Sequence, residues 1–204
     1  LWSWGNNGDG KLGLNNTTVY SSPVQIPGTT WRSVSAYNTH TVATKTDGTL
    51  WAWGNSALGQ LGLNNQTEYS SPKQIPGTTW STKFAAGRNV LAVKTDGTLW
   101  AWGSNYFGGL GQNTQGDDRS SPVQITGTTW SDTMTQEYGT SSATKTDGTL
   151  WTWGNNSSGK LGLSETDNRI TYSPEQLPGT TWTTQIGFSN NGQSCHAIKS
   201  DGTM

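Results

Sequence analysis

Hydrophobic and polar positions alternate in short bursts along this chain, and the clearest burst has no polar face. In Leu50-Trp51-Ala52-Trp53, an extended backbone puts Leu50 and Ala52 on one side and Trp51 and Trp53 on the other. A strand apolar on both sides needs neighbours on both faces of its sheet. The run recurs as Leu1-Trp2-Ser3-Trp4, Leu99-Trp100-Ala101-Trp102 and Leu150-Trp151-Thr152-Trp153. Lys45-Thr46-Asp47-Gly48-Thr49 leads into it, with the same string from Lys94 and from Lys145, and Lys199-Ser200-Asp201-Gly202-Thr203 near the last residue. An Asp-Gly pair between strand-like runs signals a tight hairpin, because the turn needs positive φ that Gly gives freely and Asp tolerates. Each copy is expected to be strand, turn, strand.

The Trp-x-Trp pairs start at Trp2, Trp51, Trp100 and Trp151, so the period is 49, 49 and 51 residues. A strand-rich period near fifty suits a propeller blade. Two further blocks keep the same register. Gly-x-Leu-Gly lies at Gly10 to Gly13, Gly59 to Gly62, Gly108 to Gly111 and Gly159 to Gly162. Ser21-Ser22-Pro23-Val24-Gln25-Ile26-Pro27-Gly28-Thr29-Thr30-Trp31 returns as Ser70 to Trp80, Ser120 to Trp130 and Tyr172 to Trp182. Proline lacks an N–H to donate, so Val24-Gln25-Ile26 and Lys73-Gln74-Ile75 are expected to be outer edge strands. The strand after each Gly-Thr-Thr-Trp holds Val34, Phe84, Met134 and Ile186. The chain is expected to be one all-β repeat domain, 1–204, with repeats at 1–49, 50–98, 99–149 and 150–204.

Together the three blocks resemble the regulator of chromosome condensation repeat family, and the resemblance covers the whole chain. It implies a β-propeller: the family's members mostly have seven blades, and four repeats are present here, which makes them a candidate part of a larger seven- or eight-bladed ring. The family's Ala-Gly-x-x-His-Thr stretch is poorly kept. Ala36 to Thr41 retains His40, Ala86-Gly87-Arg88-Asn89 retains the Gly, and the other copies keep neither cleanly. Near-identical repeats of this kind look like phage and bacterial members. The best-known relative exchanges guanine nucleotide on a small GTPase and a bacterial one inhibits β-lactamases, but neither role carries over residue by residue.

Composition changes the picture in three ways. Leu, Ile, Val and Phe make up only about 15% of the chain, a level typical of disorder, but twelve Trp and a net charge of −1 are not. The core is expected to be aromatic, built on Trp2, Trp4, Trp51, Trp53, Trp100, Trp102, Trp151 and Trp153 and shared between blades. Charged residues are 12% and balanced in sign, so there is no basic stripe and nucleic acid is not an expected partner. No apolar run is long enough for a membrane span. The abundance of Thr, Asn, Ser and Gly is typical of virion and extracellular or cell-surface proteins. Leu1 is not an initiator Met and nothing signal-like precedes the first strand, so the sequence is expected to lack its natural ends.

Candidate chemistry is sparse. Gly8-Asp9-Gly10-Lys11-Leu12-Gly13 fits the dinucleotide pattern G-x-G-x-x-G, but no helix follows and the next repeat lacks it, which makes it repeat drift. His40 and His196 occupy non-equivalent repeat positions, and with Cys195 they fall short of a metal site's converging ligands. Cys195 is the only cysteine. The Lys45/Asp47, Lys94/Asp96, Lys145/Asp147 and Lys199/Asp201 pairs repeat in every unit, as turn chemistry does. Asn15, Asn16, Asn65, Asn155 and Asn156 begin Asn-x-Ser/Thr triplets, expected by chance in this composition. No catalytic, cofactor or metal residue is assigned.

Variation concentrates in the loops Asn15 to Tyr20, Asn64 to Tyr69, Gln112 to Arg119 and Ser164 to Tyr172. Tyr and Arg favour contact surfaces, so Tyr20, Tyr69, Asp117, Asp118, Arg119, Arg169 and Tyr172 are the candidate contact residues. The expected function is that of a non-catalytic binding or structural propeller on a phage virion, as a tail or capsid appendage, or on a bacterial surface, recognising a protein or glycan, with other virion or surface proteins as partners. The alternative is an intracellular interaction propeller that regulates a GTPase or inhibits an enzyme. Leu1 to Gly5 lacks the hairpin partner that precedes it elsewhere. It is expected to pair antiparallel with a segment equivalent to Cys195 to Lys199, within a four-bladed ring, between chains, or with further repeats.

Overall fold

In the computed structural model, which describes residues 1–164, 169–189 and 193–202, strands follow one another almost without interruption. β1 (Trp2–Gly5) and β2 (Tyr20–Gln25) form a two-stranded sheet. Three four-stranded antiparallel sheets follow. The first holds β3 (Trp31–Ala36), β4 (His40–Lys45), β5 (Leu50–Gly54) and β6 (Tyr69–Gln74); the second holds β7 (Trp80–Ala86), β8 (Asn89–Lys94), β9 (Leu99–Gly103) and β10 (Arg119–Ile125). The third holds β11 (Trp130–Glu137), β12 (Thr140–Lys145), β13 (Leu150–Asn155) and β14 (Ile170–Gln176), and β15 (Trp182–Phe188) with β16 (Cys195–Lys199) makes a final pair. The architecture is three complete propeller blades flanked by two half-blades, together four blades' worth of strands. Each complete blade begins at Gly-Thr-Thr-Trp, so the sequence repeats straddle the blades.

β3, β7, β11 and β15 touch in succession and form the inner edge. β2, β6, β10 and β14 are outermost, and their prolines lie where the pairing register shifts, as a missing N–H requires. The core sits between blades. Leu50 and Ala52 of the first blade pack with Val90, Ala92 and Trp102 of the second, and Leu99 and Ala101 of the second with Ala143 and Trp153 of the third.

The hairpin turn differs from the two-residue Asp-Gly expectation. Gly48 N–H donates to Lys45 O at 3.2 Å and Lys45 N–H to Thr49 O at 3.0 Å, so Thr46, Asp47 and Gly48 form the loop. Gly48 alone has positive φ, which is how three-residue hairpin loops are built. Asp47 instead uses its carboxylate, accepting from Thr49 N–H at 3.0 Å and Thr49 Oγ1–H at 2.6 Å. These bonds hold the carboxyl below its ordinary pKa. The Lys45 ammonium lies 4.8 Å from the Trp31 ring and 4.0 Å from the Trp51 ring, and the arrangement repeats at Lys94 and Lys145.

The tryptophans expected to form the core divide into three groups. Trp53, Trp102 and Trp153 are fully buried. Trp51, Trp100 and Trp151 are half-buried, each donating its indole N–H to the threonine two residues earlier at 2.8–2.9 Å. Trp2 and Trp4 are not core residues: they are 57% and 59% exposed. Among the described residues β1 pairs only with β2. Of the three pairings expected for Leu1 to Gly5, the one within a four-bladed ring is absent, because β1 and the Cys195–Lys199 strand lie in separate sheets.

Candidate contact surface at the loop-side mouth

The hairpin turns at the inner ends of β3, β7 and β11 gather at one mouth with the long loops that carry Gly-x-Leu-Gly. Asn55 N–H donates to Thr39 O at 3.0 Å and Ser104 N–H to Arg88 O at 3.2 Å, tying turn to loop in successive blades. Where the repeats agree, this mouth is small and polar. The repeats differ most sharply at Tyr106-Phe107, which stands where other copies have Gly8-Asp9, Ala57-Leu58 and Ser157-Ser158.

These departures converge. Tyr106 packs edge-on to Phe107 with ring centroids 4.7 Å apart, and Phe107 lies 5.8 Å from Tyr138. Arg88 from the second blade lies over Tyr138 at 5.0 Å, and Lys160 approaches the same ring at 5.9 Å. Tyr106 is 62% exposed and Tyr138 45%. Beside them is a cleft of about 360 Å³ lined by Tyr37, Asn38, Asn55, Gly87, Arg88 and Tyr138, among others. Gly139 is required here: a Cβ on it would lie 2.6 Å from the Phe107 ring.

Tyr138 has φ of +45° and Gly139 +78°. Positive φ at both central residues of a two-residue hairpin is the type I′ signature, which strongly favours Asn-Gly. Tyrosine is poorly suited to that backbone, and the turn holds an aromatic ring out toward solvent.

Charges underlie the patch. Burial pushes the Glu137 carboxyl above its ordinary pKa while Lys160 pulls it back, and burial pushes Lys160 down while Glu137 raises it. Each charge offsets part of the other's desolvation. Burial, and secondarily Glu137, raises the Tyr37 phenol. Several buried polar side chains of the described residues lack a hydrogen-bond partner, and two of them lie near the patch: Gln136, whose Oε1 lies against Gly87, and His40, 6.2 Å from the Tyr37 ring. Desolvation lowers His40 to a pKa of about 4. The chemistry on offer is apolar contact, cation–π stacking and a few charges.

The contact residues named from the variable loops are placed differently. Tyr20, Tyr69 and Tyr172, expected to be exposed, are half-buried. Tyr20 Oη accepts from Asn16 Nδ2–H at 3.1 Å, Tyr172 Oη donates to Gln115 Oε1 at 2.8 Å, and Tyr69 packs against the core with Lys73 over its ring. These tyrosines anchor their loops. Asp118 accepts from Asn105 N–H at 2.7 Å, and Arg169 pairs with Glu175 at 2.9 Å. Asp117, on the loop before β10, and Arg119, the first residue of β10, are exposed. None of them joins the mouth patch. Its residues lay outside the variable loops, and the signal for them was local breakage of an otherwise repeated string.

His196 and Cys195 lie on β16, in a different sheet from His40 on β4. Among the described residues no group of three or more His, Cys, Asp or Glu side chains is placed to hold a metal. Burial pushes the Cys195 thiol up to a pKa of about 11. No described helix is long and apolar enough to cross a membrane.

The fold has well-matched counterparts. Human WBSCR16 superposes with a TM-score of 0.77 at 23% identity, over 91% of this chain and 50% of its own. The yeast protein Prp20p from Saccharomyces cerevisiae, described with its binding to Gsp1p and histones, superposes with a TM-score of 0.75 at 18% identity, over 91% and 49%. Yeast RCC1 (Prp20) in complex with Kap60 gives 0.77 at 19%, over 97% and 50%. The chain thus spans about half the length of these proteins. A search of curated protein sequences finds no match. The profile of the Regulator of chromosome condensation (RCC1) repeat matches residues 1–44, 47–93, 96–134 and 147–193, and a second profile of that repeat matches 31–60. With blades, registered glycines and indoles all following that repeat, the chain belongs to the Regulator of chromosome condensation repeat family.

Proposed function

We propose that this chain is a non-catalytic protein-binding propeller of a phage particle or bacterial surface, and that it holds its partner at the loop-side mouth. The observation that carries the binding role is the cluster of Tyr106, Phe107, Tyr138 and Arg88, exposed aromatic and guanidinium groups held on a rigid scaffold. Tyr, Trp and Arg dominate the energetics of protein contacts, because they combine apolar area with a polar handle at low entropic cost. The low-charge composition rich in Thr, Asn, Ser and Gly supports the surface location. The test is binding of the labelled chain to intact bacterial cells and to their isolated surface proteins. Tyr106→Ala with Tyr138→Ala is expected to weaken binding at least tenfold while the fold is kept. Undiminished binding by that variant would remove the mouth from the interaction.

A second reading is an intracellular propeller that regulates a GTPase or inhibits an enzyme. It is favoured by family membership and by the described binding of Prp20p to Gsp1p. Accelerated nucleotide release from a small GTPase, with no binding to cell surfaces, would select it.

A further inference from the structure

Between the second and third blades, both complete, lies a cleft of about 540 Å³ lined by Gln112, Thr126, Trp130, Lys145, Trp151 and Pro174, among others. Lys145 ends β12, the strand that starts at Thr140 beside the mouth turn. The cleft therefore lies away from the mouth, and the described residues that line it include none of the aromatic patch.

The base of the cleft is common to the complete blades. The Lys145 ammonium stands 4.1 Å from the Trp151 ring and 4.9 Å from the Trp130 ring, as Lys94 stands against Trp100 and Trp80. Trp151 is locked by its indole bond to Thr149 Oγ1, and Trp130 packs edge-on against it with ring centroids 6.2 Å apart. The buried Trp130 Nε1–H has no acceptor. Among the described residues no carboxylate lies within ion-pair distance of Lys145. Asp147, two residues on, accepts from Thr149 N–H and Thr149 Oγ1–H instead.

Two departures from the repeat set this seam apart, and both line the same cleft. Gln112 stands where the other repeats have Leu14, Leu63 and Leu163, and Thr126 where they have Pro27, Pro76 and Pro178. Leu14 and Leu63 pack against the core, so the exchange gives up apolar contact for an amide. Gln112 Nε2–H donates to Leu110 O at 3.3 Å and to Gln124 O at 3.0 Å. Both amide hydrogens are thereby used, and its Oε1 remains to accept. Thr126 is exposed, with its hydroxyl in place of a proline ring.

We infer that this cleft binds an acidic saccharide, a sugar unit that carries a carboxylate. The carboxylate accepts from Lys145 Nζ–H, the sugar hydroxyls bond to Gln112 Oε1 and to the Thr126 hydroxyl, and the apolar face of the ring lies against Trp151. A charged donor, a few fixed polar groups and an aromatic wall are what such a ligand requires. The volume falls within the roughly 300–1,000 Å³ of small-ligand clefts. An extended peptide fits less well, because the bordering edge strand β14 presents Pro174, which offers no N–H for strand addition.

An array of uronic-acid and sialic-acid oligosaccharides, with neutral oligosaccharides of matching length, tests this, and tryptophan fluorescence titration gives the affinity of each one retained. At least one acidic oligosaccharide is expected to bind saturably, about tenfold or more tighter than its neutral counterpart. Gln112→Leu with Thr126→Pro installs the residues of the other repeats, so the fold is kept and thermal melting is expected to be unchanged or raised. Affinity for the saccharide is expected to fall about tenfold or more. Lys145→Gln is expected to abolish the preference for the acidic sugar. Tyr106→Ala with Tyr138→Ala, at the mouth, is expected to bind the saccharide as before, so that the two sites stand or fall separately. An array with no saturable binder, a Gln112→Leu, Thr126→Pro chain that binds like wild type, or equal displacement by inorganic polyphosphate, the signature of charge attraction alone, would each overturn the proposal.

Discussion

The indole N–H of Trp53 donates to the backbone carbonyl of Lys11 at 2.8 Å, across forty-two residues and a blade boundary. The pair joins one repeat to the next. Its neighbour Trp51 differs by two positions and by its role, since it bonds within its own hairpin to Thr49 and keeps one side toward solvent.

Trp102, the equivalent of Trp53 in the second blade, is therefore expected to matter more than Trp100. Trp102→Ala removes a fully buried ring and leaves a cavity, destabilising by about 3–5 kcal/mol. Trp102→Phe keeps much of the volume but orphans the Gln60 carbonyl, at about 1–3 kcal/mol. Trp100→Ala is expected to lose less than Trp102→Ala. Urea melts of the three variants rank them, and a Trp100 loss equal to that of Trp102 would contradict the division into inner and outer rings.

The glycine beneath each fully buried tryptophan is expected to resist substitution for two reasons at once. Gly62 has φ of +67°, and a Cβ there would lie 2.9 Å from Trp102 Nε1. Gly116 also has positive φ, +85°, but opens on empty space. Gly116→Ala should cost about 1–2 kcal/mol, the left-handed penalty alone. Gly62→Ala should exceed it clearly, because the indole cannot yield without breaking its hydrogen bond. Equal losses in thermal melts would show that the close approach is relaxed easily.

His40 makes stability depend on pH. Its nitrogens are buried without a partner, and desolvation lowers its pKa from 6.5 to about 4. The unfolded chain takes up a proton as pH falls through 6.5, while the folded chain resists until about 4. Stability is thus fully present above about 6.5 and is lost between there and 4, by about 3 kcal/mol. The equivalent residue in the next blade is Asn89, so His40→Asn is the natural control. It is expected to flatten this part of the profile, and a profile unchanged by the substitution would assign the dependence elsewhere.

Much of the fold was legible because it is repeated. The Asp-Gly turns, the outer proline strands and the shared aromatic core follow from short strings whose physics is local, and four copies in register averaged out the noise. Three things were not local. The turn gained a residue because Asp47 finds a better use for its carboxylate on Thr49 than positive φ would allow. Trp2 and Trp4 read like core residues because burial depends on what stacks over a strand, which the strand's own residues do not encode. Tyr20, Tyr69 and Tyr172 read as exposed because they end variable loops, yet each closes its loop against the blade. Repetition also hid the mouth: Tyr37, Arg88, Tyr106 and Tyr138 come from three different repeats, and only the curvature of the inner strands brings them together.

Tyr138 offers the sharpest separation of stability from function. It sits first in a two-residue turn with φ of +45°, followed by Gly139 at +78°. Asparagine relaxes into that conformation because its short amide can bond the local backbone, whereas an aromatic side chain gains nothing there. The Tyr138 ring is nearly half exposed and its contacts are Phe107 and two cations, so little core packing is lost on removal. Tyr138→Asn is expected to stabilise the chain by about 0.5–1 kcal/mol, as relief of strain at a functional site commonly does. The same substitution should weaken partner binding at the mouth, because it deletes the ring on which Arg88 and Lys160 converge. Thermal melting and binding measured on one preparation decide the matter. A destabilised variant would mean that the tyrosine is held for packing, and a stabilised variant that binds as before would move the contact surface away from this turn.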